Sequence, residues 1–479
     1  MSLFRKNIDF SVQANNIRLN QIGKIQQIRF FILSIFIFFI AIPSYATTDL
    51  LGIYLEALQN DPTFQAAHGT YFSNKELVPQ ARSALLPQVS VANSLQRSSN
   101  SGDTNQVSVT GDEAYDLNNF TLSATQQVFN YQNWMQLKQA NDTVKSAEAT
   151  YNAAAQNLII RVAQAYLGVL QAKDNLRFTQ AQKRALERQM NEAKQRYNVG
   201  LDTMTSVYQA QAQYDLMAAQ EIADKNTLYI QFENLRTLTN KSYSSIAPLR
   251  SETVPLIKPA PTNPQSWVDK SLNQNYTLLS AKYAMDAARK NIKAQQAGHY
   301  PTANIGVDYS NVNTDASQSA ILSGQNTAIS LNLTLPLYQG GLISSKTRQA
   351  EYQYATAAAQ FQSSYLNTLV STKTAYNTVL VDINKIKADR QSVNSSENSV
   401  KSTTAQFQVG TLTMVDVLAA QQQLYSAQTQ KATDQYAYMN AILQLKLAAG
   451  TLSVADLETL NSWLDKDPKH AVINNEQIG

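Results

Sequence analysis

Cysteine is absent from the chain. That excludes disulfides, thiolate-bound zinc, a cysteine nucleophile and a lipid anchor on an amino-terminal cysteine. Charge is also scarce, at 15% of 479 residues, which is low for a soluble chain of this size. The small excess of positive charge is local. Arg5, Lys6, Arg18, Lys24 and Arg29 against Asp9 account for the whole formal +4, so the rest of the chain is neutral. A neutral body has no field with which to gather nucleic acid. Histidine occurs three times, at 68, 299 and 470, with no metal-ligand spacing. No Gly-rich phosphate loop, Gly-x-Ser-x-Gly turn or His-Glu-x-x-His stretch occurs either. The residues therefore point to no catalytic site, metal or cofactor.

Long apolar runs are missing as well. The longest, residues 30–42, follows the basic stretch ending at Arg29 and precedes Ser44-Tyr45-Ala46. This is the layout of a signal peptide (residues 1–46) cleaved after Ala46, and it is too short to span a bilayer as a helix. No later segment reaches eighteen apolar residues, so any membrane crossing by the mature chain must use strands.

Glycine and proline are nearly absent from four tracts. Residues 132–199 contain only Gly168, and 201–247, 342–409 and 411–449 contain neither residue. At 1.5 Å per residue the two longest tracts predict helices of about 100 Å. Helices of that length must bury their stripes along one another as antiparallel coiled coil. Five of the twelve prolines (Pro248, Pro255, Pro259, Pro261, Pro264) crowd into the middle of the chain and predict a linker over 251–264.

The two halves repeat at an offset of 210. Leu176, Lys183, Met190 and Tyr197 fall on Ile386, Val393, Val400 and Phe407, and 197–204 falls on 407–414, with Gly200 on Gly410 and Met204 on Met414. A duplicated unit explains this most simply, with repeats over 47–250 and 265–452 and a final segment over 453–479. The last part of that segment, 465–479, reads as a short disordered tail. Each unit is expected to run helix, strand hairpin, long helix, Val-Gly turn, shorter helix.

Period-2 alternation predicts the strands. Phe120, Leu122, Ala124 and Val128 alternate with polar residues, as do Ile329, Leu331, Leu333, Leu335 and Leu337. We place strands at about 87–96, 118–130, 301–310 and 326–339, joined by polar loops over 98–116 and 310–325. Tyr131, Tyr300 and Tyr338 lie near their ends. Strands of this length, apolar on one face, fit a transmembrane β-barrel. A four-stranded sheet packed on helices would bury the same face. Four strands cannot close a barrel in lipid, because open edges leave backbone groups unpaired, so a barrel needs two copies or three.

Several segments then resemble the TolC family of outer-membrane efflux and secretion ducts, in order and over nearly all of residues 47–464. They are Ser83-Ala84-Leu85-Leu86-Pro87-Gln88, Ala165-Tyr166-Leu167, Arg196-Tyr197-Asn198-Val199-Gly200-Leu201, Leu335-Pro336-Leu337-Tyr338-Gln339-Gly340-Gly341, and Val409-Gly410-Thr411 with Val415-Asp416-Val417-Leu418. The resemblance implies a mainly helical homotrimer sharing a twelve-stranded barrel in the outer membrane of a Gram-negative bacterium. The barrel would continue as a helical tunnel across the periplasm, girdled by an equatorial domain.

Its implied function is a passive exit duct for multidrug efflux or type I secretion. The implied partners are outer-membrane lipid, a periplasmic adaptor (membrane fusion) protein and an inner-membrane RND, ABC or MFS transporter. The adaptor site would comprise Val199, Gly200, Leu201, Val409, Gly410 and Thr411. The constriction would comprise Asp416, with Tyr197 and Phe407 near the gate. From local chemistry alone, the two glycines end helices and Asp416 stands at N3 of a capping box begun by Thr413. The chain departs from the family's polar latch at Ser206, Leu412 and Ala419. A structural or adhesive coiled-coil protein is the competing reading.

Overall fold

The computed structural model describes residues 48–99, 114–250, 254–314 and 323–465. The expected leader, nearly all of the expected tail and the middles of both polar loops lie outside the described residues.

Three short helices open the chain: α1 (Leu50–Asn60), α2 (Pro62–Lys75) and α3 (Leu77–Ser83). Asp49 caps α1 by accepting the Gly52 N–H at 2.9 Å. Asp61 caps α2 at Phe64 N, 2.7 Å, with Pro62 in the first turn, where its missing donor costs nothing. Strands β1 (Gln88–Ser99) and β2 (Ala114–Asn130) lead into α4 (Tyr131–Asn198) and α5 (Met204–Thr239). The second half brings α6 (Pro264–Gln274), α7 (Tyr276–Gln296), β3 (Thr302–Thr314), β4 (Gly324–Thr334), α8 (Leu342–Gln408) and α9 (Met414–Ala448). Helix α10 (Val454–Asn461) follows.

Helices α4 and α8 have 68 and 67 residues, each about 100 Å of rise. Each pairs with a shorter helix, α4 with α5 and α8 with α9. Their stripes are thin because most flanking positions are Ala, Gln, Ser and Thr. The one polar break in the first heptad run has a partner: the Lys183 ammonium meets Glu221 of α5 at 2.8 Å.

Near mid-length the short helices α1 and α10 pack against the long ones. There Leu158, Val162, Tyr166 and Val169 of α4 join Leu50 and Ile53 of α1, Tyr376, Val379, Ile383 and Ile386 of α8, Tyr438 and Met439 of α9, and Leu457 and Leu460 of α10 in one buried cluster. The Pro-rich stretch is drawn tightly onto this belt. Val254 is buried, and the Tyr438 hydroxyl accepts the Ile257 N–H at 2.6 Å. Asp61 and Arg161 brace the belt through two 2.8 Å contacts.

The four strands form one antiparallel sheet in the order β1-β2-β3-β4. Register places Val89, Val91 and Leu95 with Phe120, Leu122, Ala124, Ile305, Val307, Tyr309, Ile329, Leu331 and Leu333 on one face. The opposite face carries Ser90, Ala92, Ser94, Thr121, Ser123, Asp308, Ser330 and Asn332. Both faces are open in the single chain, the apolar one included: Val89, Val91, Leu95, Ile329, Leu331 and Leu333 are all uncovered. No described helix of this chain lies over them.

The strand expectations need correction: β2 begins at Ala114 and β3 runs to Thr314, each reaching about four residues into a stretch expected as polar loop. The fourth strand ends at Thr334, not 339, because its partner β3 begins at Thr302, just after Pro301, and Pro336 has no N–H to pair. Alternation also breaks at a bulge between Gln127 and Phe129, so Phe129 takes the place opposite Ala303 that an uninterrupted strand would not give it. At the strand-to-helix junction Tyr131 and Tyr300 meet, with ring centroids 5.4 Å apart.

Helix α9 ends against the α6–α7 junction. Gly450 has φ +73°, and a Cβ there would overlap the Gln274 carbonyl and stand 2.7 Å from the Asn275 nitrogen. Gly410, at φ +80°, has open space around it. Alanine at 410 should therefore incur only the left-handed backbone cost, about 1–2 kcal/mol. Gly450→Ala adds a backbone collision and should lower the thermal midpoint distinctly more than Gly410→Ala, as measured by circular dichroism melts of both variants.

Candidate functional site at the helical turns

The long helices end in two turns of the same construction. After α4, the N–H groups of Val199, Gly200 and Leu201 donate to Gln195, Tyr197 and Arg196 carbonyls at 3.3, 3.0 and 2.9 Å. After α8, those of Val409, Gly410 and Thr411 donate to Ala405, Phe407 and Gln406 at 3.3, 3.0 and 3.0 Å. Gly200 and Gly410 adopt φ +78° and +80°. This is the glycine-ended helix stop in which the 6→1 bond satisfies an orphan carbonyl. Val199, Leu201 and Val409 project from these turns, well exposed.

Thr203 caps α5 by accepting the Ser206 N–H at 3.3 Å. At the second turn, the Asp416 carboxylate accepts both the Thr413 N–H at 2.9 Å and the Thr413 hydroxyl at 2.6 Å. The expected capping box is therefore present. These two hydrogen bonds, the hydroxyl's first, hold the Asp416 carboxyl below the ordinary aspartate range, and the residue stays exposed to solvent.

Equivalent positions of the two turns differ in burial. Tyr197 is 44% exposed and Met204 39%, whereas Phe407 is 5% and Met414 1%. Phe407 and Met414 join Val417 and Leu418 of α9, Leu186, Met190 and Ala193 of α4, and Val207, Ala210 and Met217 of α5 in a second buried cluster. The second hairpin is thus seated on the first. The structure does not bring Tyr197 into this cluster. Arg196 lies over the Phe407 ring instead, 4.7 Å from its centroid, and adds a cation–π attraction between hairpins. Arg196 was visible in the sequence only as part of a motif, since nothing local says which ring it meets.

Further from the turns, polar contacts cross the seams between helices. The Thr179 hydroxyl of α4 bonds Asp224 of α5 and lies 3.0 Å from the Tyr425 hydroxyl of α9. Glu221 meets Lys183 at 2.8 Å and Lys225 at 3.1 Å, and the Lys183 bond chiefly pulls its carboxyl down to about 2. Among the described residues no group of His, Asp and Glu is arranged to hold a metal ion, and none of their helices is long and apolar enough to cross a membrane.

A family model described as outer membrane efflux protein matches residues 53–241 and 267–451. The chain belongs to the outer membrane efflux protein family. Outer membrane protein TolC of Vibrio cholerae is 34% identical over 419 residues, covering 87% of this chain and 94% of that protein. The alkaline protease secretion protein AprF of Pseudomonas aeruginosa is 28% identical over 85% of this chain and 86% of that one. Among solved structures, the outer membrane protein VceC of Vibrio cholerae superposes with a TM-score of 0.74 at 22% identity, over 84% of this chain and 96% of that chain. That likeness confirms the mainly helical fold with its antiparallel strands. As a member of this family the chain is an outer-membrane channel protein of the efflux and secretion class, resident in the Gram-negative outer membrane, and not an enzyme.

The burial difference at the turns sets an expectation. Phe407→Ala should cost about 3–5 kcal/mol, the range for emptying a buried aromatic site, while Tyr197→Ala should leave denaturant stability within about 0.5 kcal/mol. Chemical unfolding of the two variants beside the parent checks the contrast.

Proposed function

We propose that three copies of this chain form a passive exit duct, each contributing four strands to one twelve-stranded barrel and its long helices to a tunnel across the periplasm. The observation that carries this reading is the sheet. Its apolar face is bare, and its outer strands β1 and β4 have free edges that run in opposite directions. A second copy's β1 beside β4 therefore continues the antiparallel ladder. Closure removes the unpaired backbone groups that hydrocarbon does not tolerate, and twelve strands exceed the roughly eight of the smallest barrels. Polar residues on the other sheet face give the barrel a wet lumen. Along the helices, the uncovered Tyr208, Leu216, Ile222 and Tyr229 of α5 supply a flank on which a neighbouring copy can pack.

The two halves are read as products of duplication. Support comes from the 210-residue offset, the matched lengths of α4 and α8, the twin turns and the two separate stretches matched by the family model. The exposed turn residues Val199, Gly200 and Leu201, with Val409, Gly410 and Thr411, form the face that meets a periplasmic adaptor. An inner-membrane RND, ABC or MFS transporter supplies the energy. Asp416 faces its copies at the inner entrance with Tyr197 nearby, and Phe407 fastens the second hairpin. An exposed carboxylate held ionised by its Thr413 bonds suits a cation-attracting ring. The related proteins include protease secretion proteins and an efflux protein, so the cargo class extends to both proteins and small molecules.

The cysteine-free chain suits a crosslinking test. Single cysteines along β1 paired with single cysteines along β4, oxidised in outer-membrane preparations, should yield a denaturation-resistant ladder of dimer and closed trimer. Monomer throughout the scan would sink the closed-barrel reading. Planar-bilayer recordings of the extracted oligomer should show discrete conductance steps, with cation preference reduced in Asp416→Ala. Unchanged selectivity would leave Asp416 as a helix cap alone.

A further inference from the structure

The seam between α8 and α9 contains a pair of carboxyl groups where a coiled coil would place apolar knobs. Asp389 and Asp434 lie nineteen residues before the end of α8 and twenty after the start of α9, so the antiparallel hairpin brings them to one level, about 28 Å from the turn. The two carboxyls come within hydrogen-bond reach of each other. Asp434 is only 6% exposed. Its Oδ2 accepts the Gln430 Nε2–H at 3.0 Å, while Asp389 Oδ2 is buried without a donor. Ile386 and Val393 are buried on either side along α8.

Two carboxylates have only acceptors to offer each other. They can bond only if one of them holds a proton, and like charges this close in a buried seam disfavour double ionisation. Nearby charges relieve the pair only weakly: the Lys385 ammonium favours the ionised Asp389 carboxyl, an effect smaller than those of burial and of Asp434. On α8, Lys385 stands 4.0 Å from Asp382 with its side chain half exposed, and Arg390 turns away to the Val254 carbonyl at 3.3 Å. Asp382 is itself buried and lies close enough to feel Asp434. On α4, Asp174 takes the Tyr436 hydroxyl at 2.6 Å and pairs with Arg177 at 3.4 Å; Lys173 is held beside that pair. On α6, Asp269 accepts from Gln265 and Lys270 lies over Trp267.

We propose that Asp389 and Asp434 share one proton across the α8–α9 seam and make the second hairpin an acid-tightened joint. Burial, and next the bond to Asp434, push the Asp389 carboxyl up to about 6. An acid whose folded value exceeds its unfolded value binds its proton more tightly when folded. Its contribution is therefore greatest below about pH 4, falls as pH rises from about 4 to 6, and is gone above that. The seam should close in mild acid and loosen toward neutrality.

The test uses the full-length protein in detergent. Hydrogen exchange, corrected for the intrinsic pH effect, should show protection of residues 382–396 and 427–441 falling about tenfold between pH 5 and pH 7.5, within the roughly hundredfold that a two-unit shift permits. In Asp389→Asn the amide donates permanently to Asp434, so protection should stay high and lose its pH dependence. Asp434→Asn should behave likewise. Equal pH profiles in parent and variants overturn the proposal. Infrared spectroscopy of the parent supplies a check independent of how the variants fold. A protonated-carboxyl band should persist at pH 5.5 and vanish above pH 7, and absence of that band at pH 5.5 equally overturns the shared proton.

Discussion

A helix of nearly seventy residues has no interior large enough to receive it, so it must bury its stripe against another element along its whole length. Every other feature of the fold answers to that constraint. Thin stripes of small and medium residues let α4 and α8 be covered at successive heights by α5, α7 and α9. Near mid-length the short helices α1, α6 and α10 and the Pro-rich strap add a third layer. There lies the larger of the two apolar clusters among the described residues, sealed by tyrosine hydroxyls bonded to backbone at Ala247 and Ile257.

The same constraint explains where polar side chains collect. A long two-helix seam offers more positions than a chain with 15% charged residues and small apolar stripes can fill with knobs. The remainder is closed by Lys183 with Glu221, by Thr179 with Asp224 and Tyr425, and by Asp389 with Asp434. Such contacts fix the level at which helices pair more than they add stability, since partly buried charges give back in desolvation much of what they gain in attraction.

Much of this was legible in the sequence because it is local. Glycine after a helix, threonine with Asp416 three residues on, and the absence of breakers over 342–409 speak for themselves, and each turn and cap stands where local rules put it. Whatever depends on the neighbour was not legible. Tyr197 and Phe407 occupy matching repeat positions, yet only Phe407 is buried, because burial follows from which hairpin sits on the other. The bulge near Val128 falls at Gln127-Val128-Phe129 with no glycine or proline to mark it, and the early end of β4 is decided by where its partner strand begins. Asp389 and Asp434 are 45 positions apart, and only the register of the hairpin makes them adjacent.

The collision that forbids a side chain at Gly450 also describes how α9 is held. At that end the backbone abuts the α6–α7 junction, Gln156 reaches the Gly450 and Leu452 carbonyls at 3.0 and 2.8 Å, and Asn275 reaches the Ala448 carbonyl at 3.0 Å. The other end is a turn exposed to solvent. Mechanically α9 is a reed clamped at its root, 35 residues or about 52 Å long. A tilt of about 10° at the clamp would sweep the turn end through about 9 Å, which requires Met414, Val417 and Leu418 to leave the cluster that seats the second hairpin on the first.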